Sequence, residues 1–304
     1  YLSEEKRSAI MRAAEELEYT PNPIAVSLKN QRANQLLFFV PDIYNFYYME
    51  MYRGMLSMAA EAGFMVLVSG PCTFAQIETL MIDGVIFPGE LWGNFPESGR
   101  LKIPMVVAGY GAHLDRPIPH VNVDVAVALE KAVRYLRDAG HSRIAFASKN
   151  KIDTADTRYS RFRDLMAPSL GEDLDRCILG PSIEESLDEG TDFYLHGTMA
   201  ADEYLEKRLH ADAVLCFNDD TAIGLMGRLQ SKGVRIPEDL SVVGIDGHSF
   251  GAHTYPALTS VSIRPREHGR ECARLLIELI TGQSRTVPQS IEPFLIERSS
   301  VRRR

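Results

Sequence analysis

The sequence predicts an α/β protein: two doubly wound lobes built on parallel sheets, preceded by a short all-α segment. Three observations carry this. Wholly apolar runs of four to six residues recur from Leu36 onward, and stretches with helical spacing separate them. Strand–helix–strand alternation with fully apolar strands requires a parallel sheet covered on both faces. There are too many such units for one sheet of ordinary width, so two lobes are expected.

Glu4 to Leu17 reads as a helix, because Ile10, Met11, Ala14 and Leu17 fall on one face; Ser3 caps it, and Glu4 and Glu5 suit the positive end of its dipole. Asn22 and Pro23 form an N-cap and first-turn pair that opens a second, short helix through Lys29. Such a helix is too short to persist alone in water and needs something to fold against. The strands are expected at Leu36–Val40, Phe64–Ser69, Gly84–Phe87, Met105–Ala108, Ile144–Ala147, Ala213–Phe217 and Leu240–Ile245. Helices are expected at about 48–62, 124–139, 158–166, 219–232 and 266–281. Ligands of such folds bind beyond the carboxyl ends of the strands, and two facing lobes make a cleft there.

Composition narrows the function classes. The chain has 304 residues, 45% hydrophobic and 24% charged, which is ordinary globular composition. No apolar run is long enough to span a bilayer, and the first residues have no apolar leader core, so a cytoplasmic protein with no membrane partner is expected. The net charge of −8 argues against coating nucleic acid nonspecifically, and the first 35 residues balance five basic against five acidic groups. The four cysteines are far apart in sequence and read as reduced core thiols. The histidines have no metal-ligand spacing, so neither a metal nor a cofactor is expected.

One catalytic pattern competes. Gly247-His248-Ser249-Phe250-Gly251 matches Gly-x-Ser-x-Gly directly after a predicted strand, as in a serine hydrolase. Against it, no aspartate follows Ser249, little chain remains, and Ala252–Pro256 does not read as the helix an elbow needs. A transporter's periplasmic sugar-binding protein has the same two-lobed plan; the absent leader and the helical segment before Leu36 oppose it.

A set of motifs along the whole chain resembles one family. Ser3-Glu4-Glu5-Lys6-Arg7, Tyr19-Thr20-Pro21-Asn22, Val40-Pro41-Asp42 with Arg53-Gly54, and Asp83-Gly84-Val85-Ile86 occur in order. Gly140-His141-Ser142-Arg143-Ile144, Phe217-Asn218-Asp219-Asp220 with Gly224, Val242-Val243-Gly244-Ile245-Asp246 and Pro256-Ala257-Leu258-Thr259 follow. Together they resemble the lactose/galactose-repressor (LacI/GalR) family of transcriptional regulators.

The resemblance implies a ligand-responsive, non-enzymatic DNA-binding repressor with a periplasmic-binding-protein-like type I core. It places the remnant of a helix-turn-helix headpiece in 1–20, a hinge helix and linker in 21–34, and the effector-binding core in 35–304. Within the core, lobe one takes about 35–122 and 264–288, and lobe two about 123–263 and 289–304. The two headpiece helices that precede Ser3 in the family, including the base-reading one, are not in this sequence. Asn22, Ala25, Leu28 and Lys29 are the implied DNA contacts. Leu28 is the wedge that opens a minor-groove base step, and Lys29 meets a phosphate. Packing of Leu28 on the core is the plain alternative. A homodimer is implied, with Arg53–Ala62 as an interface face.

For the effector the resemblance implies Arg158, Asn218, Asp219 and Asp246, with the aromatic pair Tyr47 and Tyr48; Glu90 and Trp92 follow a strand end and join them. A guanidinium fork, carboxylates and ring faces suit a polyol, so a carbohydrate is the expected class. The plain alternatives are a helix cap for Asp219, a turn for Asp246, a surface position for Arg158 and a core position for Tyr48. Gly109, Gly247 and Arg161 depart from the family pattern and leave the ligand's identity open.

Overall fold

The expected strands stack side by side because their residues alternate between two buried faces. The computed structural model describes residues 3–19, 32–70, 74–89, 102–109, 118–152, 156–182, 192–283 and 290–304. In the first lobe, β1 (Gln35–Phe39), β2 (Met65–Ser69), β3 (Gly84–Pro88), β4 (Met105–Ala108) and β5 (His120–Val121) form one sheet in the order β2-β1-β3-β4-β5, every pair parallel. Leu37 is in register with Leu67 and with Val85. Leu36, Phe38 and Val40 pack on one face of the sheet, and Leu37 and Phe39 on the other with Ile77, Val85 and Phe87.

The second lobe holds β6 (Ile144–Ala147), β7 (Ile178–Leu179), β8 (Ala213–Cys216), β9 (Ser241–Asp246), β10 (Thr259–Ser262) and β11 (Phe294–Ile296). Their order is β11-β10-β9-β8-β6-β7, parallel except for the antiparallel edge strand β11. The chain passes from the first sheet to the second after Val121, returns after Ser262, and crosses again between Thr281 and Phe294. Val123 bridges Ile291 where two of these crossings run side by side.

The described α-helices are α1 (Glu4–Glu16), α2 (Phe46–Glu61), α3 (Phe74–Glu78), α4 (Val125–Asp138), α5 (Thr157–Leu170), α6 (Phe193–Glu206), α7 (Asp219–Ser231) and α8 (Pro265–Thr281). In α1, Ser3 caps as expected, accepting from the Lys6 N–H, but its apolar face is exposed: Ile10, Met11 and Leu17 are 54%, 64% and 77% accessible. α5 runs past its expected end, because Pro168 lies in the last turn. Pro168 has no N–H to donate to Asp164, so the last turn gives up one backbone bond and the helix still reaches Leu170.

Each lobe clamps two helices through a glycine seam. In the first, α2 crosses α8 so closely that a Cβ on Gly54 would sit 1.8 Å from the Arg266 carbonyl oxygen, and one on Gly269 would sit 1.9 Å from that of Met51. In the second, α6 crosses α7 with Gly197 against the Thr221 carbonyl and Gly224 against that of Tyr194, at 2.1 and 2.0 Å. Any side chain there would push the backbones apart.

Candidate effector cleft

The carboxyl ends of both sheets face one another, and the loops after β1 and β8 meet there. In lobe one, β1 gives way to a turn in which Asp42 accepts the Tyr44 N–H at 2.8 Å, and Asn45 caps α2 by accepting the Tyr47 N–H at 3.0 Å. In lobe two, Asp192 caps α6, accepting from Leu195 at 3.0 Å, and Asn218 caps α7 through Thr221 at 2.9 Å. Asp42, Tyr44 and Asn45 from the first lobe face Asp192, Phe193, Tyr194 and Asp220 from the second across a cavity of about 380 Å³.

Beside it the ring of Phe193 stacks on Phe217, centroids 5.5 Å apart and planes 17° from parallel. The Arg158 guanidinium lies over the same Phe217 ring at 4.5 Å and reaches to 3.8 Å from Asp246 Oδ1. Arg158 stands in the first turn of α5, positioned by Asp156, which caps that helix and accepts the Arg158 N–H at 2.7 Å. Asp246 ends β9 with φ of 118°, a strained backbone for a side-chain-bearing residue. Next to it, Gly247 (φ 76°) admits no side chain, since a Cβ would fall 2.3 Å from that of Ser262.

The lobes also touch through rings. Phe46 at the start of α2 lies against His248, centroids 3.3 Å apart, and edge-on to Phe250 at 5.1 Å. His248 is buried, and its pKa falls to about 4 because burial disfavours the charged ring. Its Nε2 stands 3.7 Å from Asp220 Oδ1.

The expected site residues divide into three groups. Arg158 and Asp246 are brought together at the cleft. Asn218 and Asp219 serve the protein: Asn218 caps α7, and Asp219, fully buried, accepts the His248 N–H and the Ser260 hydroxyl, each at 2.6 Å. Burial raises the Asp219 carboxyl to about 7 against the opposing pull of those two bonds. Asp219 thus ties the loop after β9 to α7 and β10. Tyr48 likewise packs into the lobe-one core, 7% exposed and edge-on to Phe38 at 6.3 Å. Tyr47 bonds through its hydroxyl to His268 Nδ1 at 2.7 Å, and His268 Nε2 donates to the Val121 carbonyl at 2.9 Å, pinning α2 to α8 and β5. Glu90, Trp92 and the DNA-contact set Asn22, Ala25, Leu28 and Lys29 lie outside the described residues.

Sequence reasoning did not pick out Asp42, Phe46, Asp192, Tyr194, Asp220 or His248 as cleft residues. The doubled acid Asp219-Asp220 was the available signal: one of a neighbouring pair at a helix N-terminus faces inward and the other toward the opening. The Gly-x-Ser-x-Gly stretch is not a nucleophile elbow, because Ser249–Ala252 forms a single 3-10 turn and no α-helix follows it before β10.

Comparison with known proteins agrees with this architecture. The periplasmic binding protein-like domain family matches residues 133–301. The helix-turn-helix-type transcriptional repressor CytR of Escherichia coli K12 is 30% identical over 295 residues, covering 93% of this chain and 83% of the relative. The chain belongs to the LacI/GalR family of transcriptional regulators. The repressor PurR of Vibrio cholerae is 28% identical over 326 residues, covering 99% of this chain and 91% of its own length. A LacI-family regulator from Sanguibacter keddieii has the same fold, with a TM-score of 0.70, 25% identity, and coverage of 88% of this chain and 98% of that one. Among the described residues no helix of this family member is long and apolar enough to cross a membrane.

Proposed function

We propose that the protein is a transcriptional repressor whose hold on operator DNA is set by a small polar molecule bound between its lobes. The observation that carries this is the cavity lined from both lobes, with the Arg158–Asp246 pair beside it at the Phe217–Phe193 stack. A ligand touching both walls binds one spacing of the lobes better than another, and that difference is what moves an equilibrium. Coupling of this kind is worth about 1–3 kcal/mol.

A guanidinium and a carboxylate side by side match the paired hydroxyls of a polyol, and stacked rings offer a flat apolar face, so a sugar or sugar-like compound is the favoured class. Arg158 and Asp246 hold it. Asn22, Ala25, Leu28 and Lys29 carry the DNA contacts of a hinge helix, with Leu28 as the wedge. The α2 face from Arg53 to Ala62, where Leu56 is 40% exposed, forms the dimer surface.

Thermal unfolding of the purified chain with sugars and nucleosides is the direct test. A compound held in the cleft raises the melting temperature, and Arg158→Ala abolishes that rise. If no compound stabilises the protein, small-molecule sensing is refuted. In the protein carrying its complete headpiece, Leu28→Ala weakens operator binding in a gel-shift titration and leaves the thermal response intact; unchanged operator affinity refutes the wedge.

A further inference from the structure

Asp219 is buried at a cost that its helix does not require. It opens α7, but Asn218 already caps that helix through the Thr221 N–H. A carboxylate in a first turn is favoured by the helix dipole while it stays in water, and full burial removes that hydration. Both its oxygens serve other elements: Oδ2 accepts the His248 N–H and Oδ1 accepts the Ser260 hydroxyl. Ser260 Oγ in turn accepts the Gly247 N–H at 3.0 Å. One carboxylate therefore holds the two N–H groups that follow Asp246, one directly and one through a hydroxyl relay. Gly244 of β9, in register with Ser260, makes the room: a Cβ there would fall 2.0 Å from Asp219 Oδ1.

The clamped turn begins at the effector wall. A side-chain-bearing residue keeps a φ of 118°, as Asp246 does, only where its surroundings over-determine it. Release of the Gly247 and His248 N–H groups lets that backbone relax, and relaxation swings the Asp246 carboxylate away from Arg158, now 3.8 Å distant. We propose that Asp219, with Ser260 as its relay, is a positioning residue of the effector site: it touches no ligand and sets affinity by holding Asp246 in place. The role rests on the reading of the cleft as the effector site. Ser300 supplies the contrast. It is as buried as Ser260, donates to the Val242 carbonyl at 2.6 Å and accepts the Thr259 N–H at 2.8 Å. Those bonds lie at the amino ends of β9 and β10, away from the turn.

The experiment compares Ser260→Ala with Ser300→Ala, two equal truncations of buried serines in the purified chain, so that loss of stability alone is matched. Hydrogen–deuterium exchange read by mass spectrometry reports the turn: exchange over residues 246–250 speeds up in Ser260→Ala and not in Ser300→Ala. Thermal unfolding with glucose, cellobiose, ribose, adenosine and uridine reports the site. For the probe that most stabilises the wild type, Ser260→Ala raises the half-saturating concentration by roughly tenfold or more, as loss of a hydrogen bond to a charged group does. Ser300→Ala lowers the melting temperature and leaves that concentration unchanged. Asp219→Ala repeats the loss seen in Ser260→Ala, and Asp219→Asn, which keeps an acceptor for the His248 N–H, recovers most of it. Should Asp219→Ala not fold, the serine pair decides alone. The proposal is overturned if the two serine variants shift half-saturation alike, or if exchange over 246–250 stays at the wild-type rate in Ser260→Ala. A probe that binds the wild type and Ser260→Ala equally refutes the positioning role and leaves the effector cleft standing. Silence from every probe and from the wider sugar and nucleoside screen defeats both.

Discussion

The two lobes share a plan and divide the chemistry unequally. Both carry a parallel sheet and a pair of helices locked through reciprocal glycines, Gly54 with Gly269 in one and Gly197 with Gly224 in the other. Yet the buried polar side chains described in lobe one are Glu50 and His268, whereas lobe two buries Asn218, Asp219, Asp220, Thr221, Asp246 and His248 around the carboxyl ends of β8 and β9. In lobe one the two groups fasten helices: Glu50 accepts from Arg53 and Arg266, and His268 joins Tyr47 to Val121. The comparison teaches that a shared scaffold carries both walls, and that lobe two holds most of the described buried polar groups, clustered at the carboxyl ends of its strands.

The seams give the largest expected effect. Gly224→Leu and Gly54→Leu each force a side chain into a neighbouring backbone and cost about 3 kcal/mol or more, read from urea unfolding followed by circular dichroism. If one lobe tolerates the change while the other unfolds, the structural equivalence of the two seams is broken.

Next come the buried titrating groups, which act in opposite directions. Burial lowers His268 from an ordinary 6.5 to about 4, so the unfolded chain binds the proton more readily. Stability is therefore lost as pH falls from about 6.5 through 4, by an amount on the order of 3 kcal/mol for this group. His268→Gln flattens that acid limb in unfolding free energies measured against pH. Asp219 in lobe two is raised from 3.8 to about 7, so the folded state binds the proton more readily and stability falls as pH rises through that window. Asp219→Asn removes this slope and costs little at acid pH, because its amide oxygen still accepts the His248 N–H and its NH2 can donate to the Ser260 oxygen, as the protonated carboxyl does.

The smallest effect sharpens how the walls meet. Phe46→Ala removes the lobe-one ring from His248 and Phe250 and lowers stability by only about 1 kcal/mol. It loosens the approach of the lobes, measurable as weaker ligand binding with little change in melting temperature. Equal loss in both would place Phe46 in the folding core.

Legibility in the sequence followed the kind of force at each element. Met105–Ala108 and Ile144–Ala147 were read to the residue because wholly apolar runs have one physical destination. β10 was missed because Thr259, Ser260 and Ser262 are polar by type; they are buried only because other segments bond to them, as Ser300 Oγ does to the Thr259 N–H and Asp219 to the Ser260 hydroxyl. α6 was missed because Gly197 reads as a helix breaker, while in the fold it is what lets α7 approach. Arg158 and Asp246 were named from motifs, but their pairing over Phe217 joins residues from three separate stretches of chain.

By itself the sequence determined the alternating architecture, the two lobes and the family, because hydrophobic period and motif order are local properties written along the chain. Only the tertiary structure decided which acids face inward, which of Asp219 and Asp220 is satisfied, and that Phe46 meets His248. Those outcomes depend on which distant backbone arrives beside each side chain, and burial and hydrogen bonding at a point are set by that neighbour.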